Sequence, residues 1–197
     1  MLNFFLLILI YTCIYAFMSL GQNLITGYTG MLSLCGAGFF AIGSYTTAIL
    51  VTKCGWSFWL TLPVAAILCA LMGVLIGLPT LRLKGDYLAI ATLGFAEIVR
   101  NIINNWDSLT NGPMGIQRIP IITLFGIKIS PYNKYVFLLL EIVLLLICYF
   151  LLERLASSRM GRALEAIRED EIATSSLGIN VTKYKVVSFA LGAAVTG

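Results

Sequence analysis

Histidine is absent from this chain, and charge is scarce. Asp, Glu, Lys and Arg make up 11% of its 197 residues, against about a quarter in a soluble domain. No charge occurs before Lys53. The five cysteines, Cys13, Cys35, Cys54, Cys69 and Cys148, lie scattered in or beside apolar segments, with no close CxxC pair. That pattern, without histidine, argues against a zinc site or a disulfide framework. No GxxxxGK[ST] phosphate loop is present, so ATP is not held by that device here. MLNFFLLILI has no basic region ahead of its apolar run, so it reads as a first span rather than a signal peptide. The excess of 13 basic over 9 acidic residues is clustered in two loops and does not form a nucleic-acid patch.

What fills the chain is apolar surface. Hydrophobic residues make up 59% and the mean hydropathy is +0.95, which places the protein in the membrane class. A helix rises about 1.5 Å per residue and crosses about 30 Å of hydrocarbon, so roughly 20 residues make one crossing. The expected fold is all-α, a polytopic transmembrane helical bundle. Spans are expected at about 2–20, 35–52, 56–81, 86–105, 134–152 and 184–197. The last breaks off without a polar tail, so 1–197 reads as the N-terminal part of one transmembrane domain, truncated at its C-terminus.

Orientation follows from the basic residues. Arg82, Lys84, Arg154, Arg159, Arg162, Arg168, Lys183 and Lys185 fall in loops on one side, and Lys53, Arg118, Lys128 and Lys134 on the other. Eight against four puts the first group in the cytoplasm. The long 106–133 loop is then external. It carries turn signals at Asn111-Gly112-Pro113 and Ser130-Pro131, and the β-prone IPIITLFGIKIS between them suggests a small hairpin. Small residues recur at helical spacing at Ala37, Ala41, Ser44 and Ala48, and again at Ala65, Cys69, Gly73 and Gly77. Such stripes let helices approach closely in lipid.

Two segments look suited to a polar pathway. The first, GQNLITGYTGMLS at 21–33, sits between two spans yet has no charge. It supplies Asn23, Thr26, Gly27, Gly30 and Ser33. Glycine-broken backbone of this kind either dips back among the helices, where irregular structure is tolerated, or forms a tight uncharged turn. The second is the face Gly94, Glu97 and Asn101 on the fourth span. A mid-membrane carboxylate costs about 2.5–3.5 kcal/mol to insert and is a functional candidate. Arg100, three residues on, is placed to pair with it. Glu141 reads as structural.

The third distinctive segment is 159–180, a charged island between two apolar runs. Ser158 is a candidate N-cap and Gly178 a C-terminal stop. Met160, Leu164 and Ile167 form an apolar stripe. A lipid-surface helix would be rich in Lys and Arg, whereas Glu169-Asp170-Glu171 would be repelled by anionic lipid. The mixed signs suit a groove on a protein.

Four blocks together resemble the permease family of branched-chain amino-acid ATP-binding-cassette (ABC) importers, the LivM-like permeases. They are NLITGYTGMLSLCGAGFFAIGSYTTA at 23–48, LPTLRLKGDYLAIATLGFAEIVR at 78–100, TNGPMGI at 110–116 and GRALEAIREDEIATSSLGINVTKYK at 161–185. One departure stands out: relatives often read SLGHAGF where this chain has Ser33-Leu34-Cys35-Gly36-Ala37-Gly38-Phe39.

The resemblance implies a transport subunit, not an enzyme, in the prokaryotic cytoplasmic membrane. It implies that the 159–180 segment is a cytoplasmic coupling helix docking into an ABC ATPase, through Gly161, Arg162, Ala163, Glu165, Ala166, Arg168, Glu169, Asp170 and Gly178. ATP and magnesium would sit on that partner, and none on this chain. A second related permease subunit and an extracytoplasmic substrate-binding protein complete the expected assembly. Alternatives are a permease for urea or short amides and, in another class, an ion-coupled carrier needing no ATPase, with Glu97 as its acid.

Overall fold

The computed structural model describes residues 2–80, 83, 85–117, 119–120, 122–124, 127–129 and 134–197, with backbone alone for 2, 3, 80, 122–124 and 127–129. Arg82, Lys84, Arg118 and the Ser130-Pro131 turn lie outside this set. Six long helices dominate: α1 (Leu2–Thr26), α2 (Gly36–Lys53), α3 (Phe58–Thr80), α4 (Asp86–Asn105), α6 (Lys134–Ala156) and α9 (Val181–Thr196). Each lies over one of the expected apolar segments, with α1 continuing six residues and α6 four residues further than expected and α9 beginning three residues earlier. Shorter elements are α5 (Asp107–Thr110), a 3-10 turn (Gly112–Met114), α7 (Arg159–Glu169) and α8 (Glu171–Ser176). The expected hairpin is present: β1 (Ile122–Leu124) pairs antiparallel with β2 (Ile127–Ile129), Ile122 opposite Ile129.

Among the described residues, three helices, α1, α3 and α6, are long and apolar enough to cross a bilayer by themselves. Helix α9, 16 residues long, runs through the middle and packs along α3 and α1. The expected stripe on α3 is what admits it. A Cβ built on Gly73 would stand 2.8 Å from the Ala193 Cβ and 3.0 Å from the Ala190 Cα, and one on Gly77 would touch Phe189. On the α1 side, Gly21 and Gly192 face each other so closely that a Cβ on Gly192 would lie 2.8 Å from the Gly21 carbonyl oxygen. Backbones can approach this far only without side chains between them. Ser188 Oγ, fully buried, donates to the Leu24 carbonyl at 2.9 Å and stitches α9 to α1. The apolar centre gathers Ile25, Met31, Cys35, Phe39, Ile76, Leu88, Phe189 and Ala193, with Phe39 edge-on to Phe189 at 6.0 Å.

The stripe on α2 behaves differently. Ala37 and Ser44 are exposed, and the buried face of α2 is instead Gly38, Phe39, Gly43 and Val51. Helix α2 offers two small-residue faces, and the one that also carries Phe39 wins because it buries an aromatic ring. Gly38 lets α2 meet α4, where a Cβ would lie 3.1 Å from the Ala96 Cα. At the far end, Lys53 Nζ donates to the Ser108 carbonyl at 2.7 Å and holds the 106–117 loop against α2. Asn111, at φ 64°, and Gly112, at φ 55°, make the left-handed turn that the Asn-Gly pair announces.

Candidate functional site

The 21–33 segment is neither a short surface loop nor a free re-entrant hairpin. Helix α1 runs on through Thr26, the chain turns at Gly27–Gly30, and residues 31–35 come back beside α1 without forming a helix. Gln22 Nε2 donates to the Ser33 carbonyl, so the return climbs four residues of α1, about 6 Å. Met31, Ser33 and Cys35 are buried. Irregular backbone at membrane depth is tolerated against protein, and this segment turns alternate side chains inward while Leu32 and Leu34 stay about half exposed. Two of its backbone groups are paired: the Ser33 carbonyl accepts from Gln22, and Leu34 N donates to Thr92 Oγ1 of α4 at 2.9 Å. Cys35, in the stretch where the family pattern differs, is buried beside Ser33. Gln22 is the residue that sequence reasoning undervalued. Its only signal was a polar amide in the last turns of an apolar helix.

The pathway residues do not converge on one cavity. Asn23 faces α6 and lines a small cleft with Tyr28, Tyr149 and Glu153. Thr26 and Ser33 line a shallow depression with Gln22 and Leu34. Glu97 lines a groove of about 510 Å³ between α2 and α4, with Leu34, Ala37, Ala41, Tyr45, Arg100 and Asn104. Leu34 belongs to both of the last two and is where they meet. Gly94 lies outside the groove, with open space over it. Asn101 spends its amide on the Glu97 carbonyl at 2.9 Å. Asn23 and Thr26, three residues apart on α1, are neighbours on its surface, yet they line separate clefts, Asn23 toward α6 and Thr26 toward the return segment.

Glu97 and Arg100 pair as expected, at 3.4 Å, with side chains 57% and 70% exposed. The buried carboxylate is instead Glu141, read from the sequence as structural. It is the buried residue of α6, and its Oε2 has no partner among the described residues.

The 159–180 segment folds as two helices, not one. Ser158 Oγ accepts from Met160 N at 3.1 Å, the expected cap of α7. The helix then breaks at Asp170, whose backbone is extended and whose Oδ1 accepts from Ile172 N at 2.8 Å and Ala173 N at 3.0 Å. The three acids in a row do not act as one unit, for each member has its own local partner. Glu169 pairs with Arg168 at 3.2 Å, Asp170 caps α8, and Glu171 accepts from Lys185 Nζ of α9 at 2.7 Å. The joint is braced by Thr174 Oγ1, which donates to the Ala166 carbonyl at 2.9 Å. Gly178 ends α8 at φ 83° with open space around it, a conformation suited to glycine.

Helix α7 sorts its residues cleanly. Gly161, Ala163, Leu164 and Ile167 are buried, and α7 packs on α6 and α9. Gly161 is a packing glycine, since a Cβ there would strike the Ala156 carbonyl at the α6–α7 elbow. Arg162, Glu165, Ala166, Glu169 and Asp170 are exposed. On α8 and just after it, Ile172 and Leu177 are 75% and 81% exposed. Arg168 turns back to the bundle and donates from Nη1 to the Gly27 carbonyl at 2.8 Å. It joins two blocks that the sequence keeps 141 residues apart.

This arrangement can be set beside known proteins. Residues 4–197 match the family described as branched-chain amino acid transport system / permease component. The chain belongs to that family. The high-affinity branched-chain amino acid transport system permease protein LivM of Salmonella typhimurium is 42% identical over 207 residues, which cover 94% of this chain and 49% of that protein. LivM of Escherichia coli K12 matches to the same extent. The probable branched-chain amino acid transport permease protein LivM of Methanocaldococcus jannaschii is 30% identical over 135 residues, 66% of this chain and 38% of that protein. No solved structure gives a significant match. The chain spans about half the length of the bacterial LivM proteins. Membership of that family agrees with the mainly helical, apolar architecture described above and with a multi-pass membrane chain.

Proposed function

We propose that this chain serves in a permease subunit of an ATP-driven importer of branched-chain amino acids, in a prokaryotic cytoplasmic membrane. All six long helices act as spans, and α7–α8 is the cytoplasmic coupling element. The observation that carries the reading is the division of that element. Its apolar face is spent on the bundle, while Arg162, Glu165, Ala166 and Glu169 face outward beside the exposed Ile172 and Leu177. Mixed charge around a small apolar patch fits a groove on a soluble protein. An ABC ATPase subunit, bringing ATP and magnesium, is the partner of that chemistry. A second related permease and an extracytoplasmic binding protein complete the transporter. Gly161, Ala163 and Asp170 act by holding the element in shape, not by touching the ATPase.

Reconstitution tests this. The permease assembled in liposomes with its ATPase and binding protein takes up leucine only when ATP is hydrolysed. Arg162→Glu together with Glu165→Arg releases the ATPase during purification. Uptake of leucine without ATP or ATPase overturns the reading in favour of a self-sufficient carrier. Selective uptake of urea or acetamide moves the substrate to short amides.

A further inference from the structure

Helix α7 is attached to the bundle in two ways. One is its buried apolar face. The other is a single side chain. Arg168 leaves the last turn of α7 and hydrogen bonds the Gly27 carbonyl, while its stem lies flat over Gly30. A Cβ on Gly30 would come within 2.8 Å of the Arg168 Cγ, and Gly30 has φ 69°, so both space and backbone require glycine there. Gly27 follows directly on the last residue of α1. Carbonyls at that end carry the partial negative charge of the helix and favour a cation. The turn that Arg168 holds feeds residues 31–35, which hydrogen bond to α4 through Leu34 N and Thr92 Oγ1. The Leu34 side chain lines the α2–α4 groove with Glu97. A continuous set of contacts therefore runs from α7 to the groove.

We propose that Arg168 is a positioning residue that carries movement of α7 into the 27–35 return segment, and through it to the α2–α4 groove. The proposal rests on the importer reading above. The bland account is that Arg168 pairs with its neighbour Glu169 and nothing more. That pair has side chains 48% and 76% exposed, and such pairs are screened and contribute little. The Gly27 bond and the Gly30 contact are of another kind, because they bridge two separate elements. The planar guanidinium also suits this position better than a lysine ammonium would, since it can bond forward while its stem stays flat on glycine.

The test is made on the assembled transporter in liposomes, with leucine uptake and ATP hydrolysis measured together. Arg168→Ala retains its ATPase through purification, and leucine moved per ATP falls by roughly fivefold or more, the lower end of usual site-to-site coupling. Arg168→Lys recovers part of that ratio. Gly30→Ala lowers the ratio less in the Arg168→Ala background than in the native one, because the Cγ it would strike is gone. An unchanged ratio in Arg168→Ala, with native coupling intact, overturns this proposal alone. Loss of the ATPase from Arg168→Ala also overturns it, by placing Arg168 on the docking surface. Native permease that moves leucine without ATPase overturns the importer reading and this proposal with it.

Discussion

The seam that joins α9 to α1 and α3 and the seam that joins α6 to α1 lie in the same bundle and are built in opposite ways. The first is made of Gly21, Gly73, Gly192 and Ala193, with backbones nearly touching. The second is made beside a helix that keeps Leu139, Leu146, Ile147 and Phe150 on the outside and turns Glu141 inward. Lipid is as apolar as leucine, so α6 gains nothing by hiding its leucines. Association comes from close packing and from polar groups that avoid lipid. Small residues therefore mark the helix that is clasped, and large ones the helix that leans.

Substitutions that exchange these two designs should break the contrast, and their expected effects fall in order. Gly192→Val drives a side chain into Ile25 and the Gly21 carbonyl. It should cost about 3 kcal/mol or more, seen as lost monodisperse protein or a sharply lower Tm in detergent. Glu141→Leu removes a buried oxygen without a partner. It should raise stability by about 1–3 kcal/mol, with Glu141→Gln between the two; a lower Tm for Glu141→Leu would mean that the carboxylate is paired in the membrane. Asp170→Ala strips the cap of α8 and should cost about 1 kcal/mol, read as faster amide exchange confined to 171–176. Leu146→Ala, on the face of α6 that is 58% exposed at that residue, should change stability by less than about 0.5 kcal/mol. A large loss there would show that α6 is covered, not leaning. Labelling adds a check: a membrane-impermeant maleimide should reach the exposed Cys54 and leave the buried Cys35 and Cys69 untouched.

Much of the architecture was legible because lipid imposes so few options. Apolar runs of span length became α1, α3 and α6, and the stripe from Ala65 to Gly77 became a helix contact. The capping role of Ser158 and the Glu97–Arg100 pair were legible too, since both act within one turn of helix. The failures have a common physical origin. On α2, composition offered two faces, and the ring of Phe39 decided between them. At Glu169-Asp170-Glu171, a like-signed run hid three separate local bonds. Asn23 and Thr26 lie in a stretch whose glycines suggested broken backbone, whereas α1 remained helical through both, and which neighbouring element each one meets is set by tertiary packing. The Arg168 contact with Gly27 depends on two elements meeting across most of the chain, and periodicity carries no signal for that.

The break at Asp170 has a mechanical meaning. On the importer reading proposed above, a load on the first half of the jointed segment reaches α6 and α9 through its buried face and the end of α1 through the arginine, while a load on the second half reaches α9 through the Lys185–Glu171 clasp. A visitor holding both halves at once would load α9 from two points and α1 from one, so the joint would spread a single grip unevenly over neighbouring rods of the bundle.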